Sequence, residues 1–271
     1  MSAFDGKNYW ALILGGSSGI GLAAAKKLAK EGMNLILVYR ERRSREEEVK
    51  QEFAAIEASG NTVLHFNADA TNAEKIEVLI TEIASKIGEG RIRVLLHSIA
   101  KGNLKTMTEP PADSDVNYPP NRLGVTDFTL TSESMAFSIL PWTNALLEQG
   151  LFAAKSRVIA LTSAGDYRVW KGYAAVAAAK SALESIIKYI AIEYAHKGIN
   201  ANLIEAGVTV TPSMQLIPGS EKIITDLEQK HPKGGLTQPE YIADTIYLLC
   251  LEEANWINGA RLKADGGEHL I

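Results

Sequence analysis

The 271-residue chain contains a single cysteine, Cys250, and no run of 18 consecutive apolar residues. One cysteine excludes an internal disulfide, and the apolar helical pattern around it, YLLCLEE, predicts a core thiol and not a nucleophile. The lack of a long apolar run argues against a membrane span. The first residues also lack the basic, apolar and small-residue pattern of a secretory leader. We therefore expect a soluble, cytoplasmic protein.

The chain also lacks a strong net charge. It has 28 basic and 32 acidic residues, which gives a net charge of -4. This balance favours neither nucleic acid nor an acidic membrane surface as a partner. We predict no metal site.

Apolar segments that are typical of strands alternate with helix-like segments through most of the chain. The predicted strands are Trp10–Leu14, Asn34–Tyr39, Thr62–Ala68, Arg93–His97, Arg157–Thr162, Asn200–Glu205 and a last one within Ala260–Gly267. The predicted helices are Gly19–Glu31, Arg43–Ser59, Ala73–Ile87, Thr131–Gln149 and Tyr173–His196, with Pro141 expected to kink its helix. Strands joined by helical crossovers form a parallel sheet, and continuous apolar strands are expected where helices cover both faces. The pattern predicts an α/β fold, a doubly wound Rossmann sheet of about seven parallel strands in a single domain, residues 1–271.

One stretch departs from this alternation. Lys105–Gly124 contains four prolines and no periodicity, which predicts a long loop after the fourth strand. Because ligands bind beyond the carboxyl ends of the strands in such sheets, the loop is placed to be functional. A tolerated surface insertion is the alternative.

Three glycines, Gly15, Gly19 and Gly21, lie between the first predicted strand and helix, in LILGGSSGIGLAAAKKLAKEG. A turn without Cβ atoms lets phosphate oxygens approach the backbone, and the helix N-terminus offers unpaired N–H groups and a positive dipole end. Within the first strand–turn–helix of a βαβ unit, this pattern predicts a dinucleotide site. The turn would also contribute Ser17, Ser18 and Ile20.

The end of the second predicted strand selects between two dinucleotides. An acidic residue there binds a free ribose 2′-hydroxyl, whereas an arginine accommodates a 2′-phosphate. The sequence is VYRERR, in which Arg40 holds this position and Glu41 follows. Arg40 predicts NADPH; NADH is the alternative, because a small register change would bring the Glu41 carboxylate forward. Asp69, after the third strand, is placed to meet the adenine amino group.

These motifs resemble the short-chain dehydrogenase/reductase superfamily over nearly the whole chain. The matching pieces are GGSSGIG (15–21), ADA (68–70), TS (162–163), a Tyr–Lys helix, NLIEAGVTVT (202–211) and DGG (265–267). The resemblance implies hydride transfer between a nicotinamide and a substrate. It also implies further cofactor contacts from Ala70, Ser98, Ile99, Ala100, Gly207, Val208 and Thr209.

The tyrosine is displaced relative to the common carbonyl reductases of that superfamily. Those have tyrosine four residues before the lysine and serine thirteen before the tyrosine; here Val176 stands four before Lys180, and Ser163 keeps the serine position. Tyr173 lies three residues before Val176, which gives a Tyr-x6-Lys spacing. This spacing and HSIA (97–100) are similar to the enoyl-acyl-carrier-protein reductases, and serine ten residues before the tyrosine is similar to an NADPH-using branch of them. The resemblance assigns catalysis to Tyr173, Lys180 and Ser163, with Lys180 also on the nicotinamide ribose.

A second tyrosine–lysine pair, Tyr167 and Lys171, has the carbonyl-reductase spacing. Gly172 follows it at once, so the pair precedes the helix and is not predicted to be catalytic. Tyr167 is left as a candidate lining of the acyl pocket.

The displaced phenol suits the reduction of a 2-enoyl thioester, in which hydride goes to C3 and negative charge develops on the thioester oxygen. A tyrosine hydroxyl, with an ordinary pKa of about 10, donates a hydrogen bond to that oxygen while staying protonated. A ketone instead requires a proton on the oxygen of the carbon that receives the hydride. We therefore predict an NADPH-dependent enoyl-thioester reductase acting on acyl-carrier protein or coenzyme A thioesters. The alternatives are a carbonyl reductase that uses Ser163 and a non-catalytic NADPH-binding regulator.

Two further expectations come from the resemblance. The segment Pro212–Pro232 resembles a substrate-covering element, within about 209–235, although an amphipathic surface helix fits it equally. The alanine-rich Tyr–Lys helix resembles those that pack between subunits, so a homotetramer or homodimer is expected. We also hypothesise that Lys101 and Lys105 contact an acidic carrier protein.

Overall fold

The computed structural model describes residues 2–109 and 116–271, so that 110–115 of the predicted Pro-rich loop lie outside the described residues. Seven strands form one sheet within this part of the chain. They are β1 (Tyr9–Leu14), β2 (Asn34–Tyr39), β3 (Val63–Asn67), β4 (Arg91–His97), β5 (Phe152–Ser163), β6 (Ile199–Ala206) and β7 (Arg261–Ala264). Their order is β3-β2-β1-β4-β5-β6-β7, and every neighbouring pair is parallel. The predicted doubly wound sheet is confirmed.

Helices connect the parallel strands. They are α1 (Gly19–Lys30), α2 (Glu46–Glu57), α3 (Ala73–Ile87), α4 (Val125–Ser132), α5 (Ile139–Glu148), α6 (Ala174–Glu193), α7 (Pro212–Gln215), α8 (Ser220–Lys230) and α9 (Pro239–Cys250). In the described residues, no helix combines the length and apolar character of a membrane crossing.

The two faces of the sheet explain why the strands are continuously apolar. Ala11 and Ile13 of β1 pack with α1, α2 and α9, whereas Leu12 and Leu14 pack with α3, α5 and α6. Successive strand residues thus enter opposite cores. Between β1 and β4 the chain order reverses, which opens a crevice at the carboxyl ends of these strands.

The predicted helix Thr131–Gln149 differs from the helices that the structure shows there. The helix begins at Val125 and is interrupted by a π-helical turn at Glu133–Phe137, in which the Ser138 N–H donates to the Glu133 carbonyl at 3.1 Å. Pro141 follows this turn and has no N–H to give to the preceding turn of helix. The expected irregularity is therefore present, but it lies before the proline.

Two fully buried arginines hold the opposite, amino-terminal edge of the sheet to the end of α9. Arg93 donates to the Cys250 carbonyl from Nε (3.1 Å) and Nη2 (2.7 Å), and also to the Lys155 carbonyl. Arg157 donates to the carbonyls of Leu249 (2.8 Å) and Leu251 (3.2 Å). The last carbonyls of α9 thereby find donors, and the cations lie at the negative end of the helix. The Cys250 thiol is buried beside them, as predicted, and burial raises its pKa to about 12.

Candidate active site

A cavity of about 460 Å³ lies at the carboxyl ends of the strands. Most of the predicted site residues line it, although they come from seven separate parts of the chain. They are Gly15, Ser17, Ser18, Gly19, Ile20, Arg40, Asp69, Ala70, Ser98, Ile99, Ala100, Ser163, Tyr173, Lys180, Gly207, Val208 and Thr209. The fold therefore brings the predicted residues together, with the exception of Gly21.

The glycine-rich turn approaches the neighbouring strand end too closely for side chains. Gly15 has a φ of +91°, and a Cβ atom there would lie 2.5 Å from the Ser98 carbonyl oxygen. A Cβ atom on Gly21 would overlap the Gly15 carbonyl. Gly21 thus allows α1 to pack against the turn and does not itself face the cavity. The cradle and the α1 N-terminus fit the phosphates of a dinucleotide.

Two charged residues at the end of β2 lie on this cavity. The Arg40 guanidinium pairs with Asp69 (Nη1–Oδ2, 2.9 Å), and 63% of its side chain is exposed. The Glu41 carboxylate accepts a hydrogen bond from Ser17 Oγ at 2.9 Å and is also paired with Arg45 at 3.3 Å. Both the predicted cation and the competing carboxylate therefore line the place where a ribose 2′-substituent is recognised.

Tyr173 stands at the N-cap of α6 and has its side chain almost completely buried. Its hydroxyl lies 3.4 Å from Ser163 Oγ at the end of β5, and its ring packs edge-on against Trp170. Burial raises the pKa of Tyr173. The phenol is therefore a protonated hydrogen-bond donor at neutral pH.

Lys180 lies two turns further along α6 and is buried. Its Nζ donates to the Leu161 carbonyl at 2.7 Å, and burial lowers its pKa to about 8, an effect that Asp166 opposes. An ammonium carries three donors, so this contact leaves others open toward the cavity that Lys180 lines.

Two more buried polar atoms near Lys180 are incompletely satisfied. His97, of the HSIA motif, bonds Ser138 through Nε2 (2.8 Å), and burial lowers its pKa to about 3, so it is neutral. Within the described residues, His97 Nδ1 and Thr162 Oγ1 have no hydrogen-bond partner. Since buried polar groups are ordinarily paired, such atoms indicate a place that ligand or water completes.

An ion cluster supports the strand end that carries Ser163. Arg261 of β7 pairs with Asp166 (2.6 Å), Glu184 (2.6 Å) and Glu205 (2.7 Å), and its Nη2 donates to the Ser163 carbonyl at 3.2 Å. The Asp166 contacts in particular raise the pKa of the guanidinium. One side chain thus ties together β5, β6, β7 and α6 directly behind Ser163 and Tyr173.

The turn after β6 is held by a buried acid near the end of the chain. Glu268 accepts a hydrogen bond from the Val208 N–H at 2.7 Å and lines the cavity. Burial raises the pKa of Glu268. The predicted cofactor contacts Gly207, Val208 and Thr209 therefore depend on this side chain for their position.

The other end of the cavity is apolar. Met135 and Val176 pack with Tyr173, and partly buried Leu104, Trp170 and Ile217 pack against them. Ile217 lies between α7 and α8, in the segment that resembles a substrate cover, and α8 is indeed an amphipathic helix.

The second tyrosine–lysine pair is separated from the cavity. The Tyr167 hydroxyl donates to Glu205, and its ring lies 5.1 Å from the Arg261 guanidinium. Tyr167 does not line the cavity, so its suggested place in an acyl pocket is wrong.

Sequence reasoning missed Arg261 and Glu268 as residues that support the site. Each acts through partners far along the chain, so no local spacing identifies them. The DGG motif, which directly precedes Glu268, was the nearest signal. The described residues contain no group of three or more acidic, histidine or cysteine side chains placed to hold a metal ion.

A family model described as enoyl-(acyl carrier protein) reductase matches residues 15–269. Among similar proteins is 1-cyclohexenylcarbonyl-CoA reductase of Streptomyces collinus, 27% identical and covering 96% of this chain and 86% of its own. Enoyl-[acyl-carrier-protein] reductase [NADH] FabI of Bacillus cereus is 26% identical over the full length of both chains. The crystal structure of the Bacillus cereus enoyl-acyl carrier protein reductase with NADP+ and indole naphthyridinone has a TM-score of 0.84 at 24% identity, covering 100% and 99% of the two chains, and supports the fold.

Proposed function

Because the chain belongs to the enoyl-(acyl carrier protein) reductase family of short-chain dehydrogenases/reductases, a family of oxidoreductases, we propose that it reduces the carbon–carbon double bond of a 2-enoyl thioester with NADPH. One observation carries the proposal: the displaced phenol of Tyr173 lines the same cavity as the glycine-rich turn. In the carbonyl-reductase position the chain has Val176, whose side chain belongs to the apolar end of the cavity. The resemblance to enoyl reductases and the position of the phenol point to the same reaction.

The proposed roles follow from the charge that develops during reduction. When bound, NADPH would supply the hydride that C3 of the substrate receives, and the proton that C2 then takes would come from solvent. Tyr173, protonated because burial raises its pKa, donates a hydrogen bond to the thioester oxygen as negative charge develops there. Lys180, mostly charged at neutral pH, donates to the ribose hydroxyls and adds positive potential beside that oxygen. Ser163, 3.4 Å from the Tyr173 hydroxyl, orients the phenol.

The cofactor would be held by the glycine-rich turn, by Asp69 and Ala70 near the adenine, and by the turn 207–209 near the nicotinamide. Arg40 supports NADPH, since its largely exposed guanidinium can leave Asp69 for a 2′-phosphate. Glu41, hydrogen-bonded to Ser17, favours NADH as the second candidate because a carboxylate repels that phosphate.

A direct assay separates the proposed reaction from its alternatives. Purified protein is offered crotonyl and acetoacetyl thioesters in parallel, with NADPH or NADH, and oxidation of the nicotinamide is followed by absorbance. We expect turnover of the crotonyl thioester only, faster with NADPH. Turnover of the acetoacetyl thioester alone would establish the carbonyl reductase, which the 3.4 Å contact between Ser163 and Tyr173 favours as a second candidate. Cofactor binding without turnover of either would establish the regulator.

The proposal also includes a carrier for the substrate, a location and an oligomeric state. The thioester would arrive on acyl-carrier protein or coenzyme A, in the cytoplasm. The protein would act as a homotetramer or homodimer, with 209–235 covering the substrate.

A further inference from the structure

A second cavity, of about 440 Å³, opens beside the first. Three segments of the described chain line it: 102–105 after β4, 117–120 of the Pro-rich loop, and residues 216 and 218 after α7. Gly102, Leu104 and Leu216 line both cavities, so the two are neighbours across these residues. Its volume lies in the range of small-molecule sites, about 300 to 1,000 Å³.

The side chains of this second cavity differ in chemistry from those of the apolar end of the first. Asn103 and Asn117 bring amides and Tyr118 a phenol. Within the described part of the chain these three side chains form no hydrogen bond to another residue. The cavity thus offers neutral donors and acceptors without protein partners, which fits a neutral polar ligand.

Among the described residues of the lining, the one cation is already paired with a carboxylate. Lys105 Nζ lies 2.8 Å from Asp127 Oδ1, and that contact lowers the pKa of the carboxyl group. The lining is therefore poorly suited to phosphate or to an acidic protein surface, contrary to the hypothesis that Lys105 meets an acidic carrier.

The loop that forms this cavity also lies close to the residue that precedes the proposed catalytic tyrosine. A Cβ atom on Gly172 would lie 3.0 Å from the ring of Tyr118, and Lys171 Nζ lies 5.7 Å from the centre of that ring. A substrate whose carbonyl lies at Tyr173 can therefore extend in two directions. One leads to the apolar side chains of Met135 and Ile217, and the other leads past Leu104 to the amides of Asn103 and Asn117.

We propose that the second cavity binds the pantetheine arm of the thioester substrate, whose amides and hydroxyl match its lining; this rests on the proposed function. The acyl chain lies at the apolar end of the first cavity, and the thioester carbonyl lies at Tyr173. The sulfur then passes Gly102 and Leu104, and the arm lies between Asn103 and Asn117. Acyl-carrier protein and coenzyme A both carry this arm, so the cavity recognises what the two carriers share.

The test compares two crotonyl thioesters that differ only in the arm. Crotonyl-pantetheine has the whole arm, whereas crotonyl-N-acetylcysteamine ends after the first amide. In an Asn103→Ala/Asn117→Ala variant we expect kcat/KM to fall about tenfold for crotonyl-pantetheine and to change less than about twofold for the truncated thioester. Tyr118→Phe keeps the ring against Gly172 and should show a smaller loss with the same selectivity. The control is Asn121→Ala, an exposed change in the same loop outside the lining, which should alter neither substrate.

The outcomes separate this proposal from the proposed function. Equal losses for both thioesters, or no loss for either, while the unmodified protein turns both over, would overturn the pantetheine site alone. No turnover of either by the unmodified protein would overturn the proposed function and this site with it. Crotonyl-coenzyme A and crotonyl-acyl-carrier protein, run in the same series, should both show the loss, and the better substrate identifies the carrier.

Discussion

Among the residues that the structure describes, two places bury cations, one at each edge of the sheet, and their hydrogen-bonding surroundings differ. At the amino-terminal edge, Arg93 and Arg157 donate to backbone carbonyls of α9 and its neighbours, and Arg93 also pairs with the Glu252 carboxylate at 3.1 Å. At the carboxyl edge, Lys180 has the Leu161 carbonyl as its hydrogen-bond acceptor in the described residues. Burial alone therefore does not distinguish a functional cation from a structural one.

The difference lies in how completely the donors are used. The guanidiniums complete the end of α9, and every nitrogen of Arg157 already has an acceptor within the protein. The ammonium of Lys180 keeps donors open, and Thr162 Oγ1 and His97 Nδ1 nearby lack partners in the described residues. A pKa of about 8 in place of 10.5 corresponds to about 3 kcal/mol of unfavourable burial. Unfavourable burial of a charged group, as found for Lys180 at the carboxyl edge, is typical of sites that bind ligands and carry out reactions.

The largest effect is expected from Tyr173→Phe, which removes the donor and preserves the ring. Loss of a single donor to a developing oxyanion lowers kcat by about 10²- to 10³-fold. The phenyl ring still packs against Trp170, so the melting temperature and cofactor affinity should stay close to those of the unmodified protein. Steady-state kinetics with crotonyl thioester and cofactor titration measure this, with Tyr167→Phe as the matched control. Unchanged turnover would remove Tyr173 from catalysis.

At the other edge, Arg157→Met should destabilise the protein strongly. The substitution leaves the buried carbonyls of Leu249 and Leu251 without donors, at a cost of about 3 kcal/mol or more. Urea unfolding measures the loss, and kcat/KM of the folded fraction should be unchanged. A variant as stable as the parent would show that these donors are not needed.

Lys180→Met should give the reverse result, with activity strongly lowered and stability retained or increased. Because the folded pKa of Lys180, about 8, lies below the unfolded value of 10.5, the buried ammonium disfavours folding at pH 7. Allowing for the lost Leu161 contact, we expect the variant to gain about 2 kcal/mol at pH 7. This gain in stability should shrink as the pH rises from 8 to 10.5. In that range Lys180 of the unmodified protein is neutral in the folded state, so its burial no longer disfavours folding. A destabilised variant at pH 7 would contradict this account.

The cofactor end offers a smaller change. Arg40→Ala should lower affinity for NADPH about tenfold and leave that for NADH unchanged, because only the former has the phosphate that Arg40 would pair with. Glu41→Ala should favour NADPH further by removing the repulsion. Binding is followed by fluorescence titration of each nicotinamide. Equal losses for both cofactors in Arg40→Ala would exclude a role in selection.

The smallest effect concerns pH. With Lys180 charged below about pH 8, kcat/KM should fall as the pH rises through that value. The same limb should be absent in Lys180→Met, whose residual activity serves as the control. A limb that persists in the variant would belong to another group.

Local patterns predicted much of this molecule, since the glycine turn, Arg40 and the Tyr173–Lys180 spacing each involve neighbouring residues. What sequence reasoning could not predict depends on contacts between distant segments. Arg261 meets three carboxylates from β6, α6 and the turn after β5, and each of them alone resembles an ordinary surface charge. The hydrogen bond between Ser17 and Glu41 likewise depends on how β2 and the glycine-rich turn meet in space. A shift of less than one residue in their register would decide it, and the sequence pattern does not specify that shift.

The most direct test of the account follows the hydride itself. The protein is given crotonyl and acetoacetyl thioesters together with nicotinamide cofactor deuterated at the transferable position, and the products are analysed by mass spectrometry and NMR. We expect a butyryl thioester with one deuterium at C3 and unreacted acetoacetyl thioester. A 3-hydroxybutyryl thioester deuterated at C3, with the crotonyl thioester untouched, would contradict it.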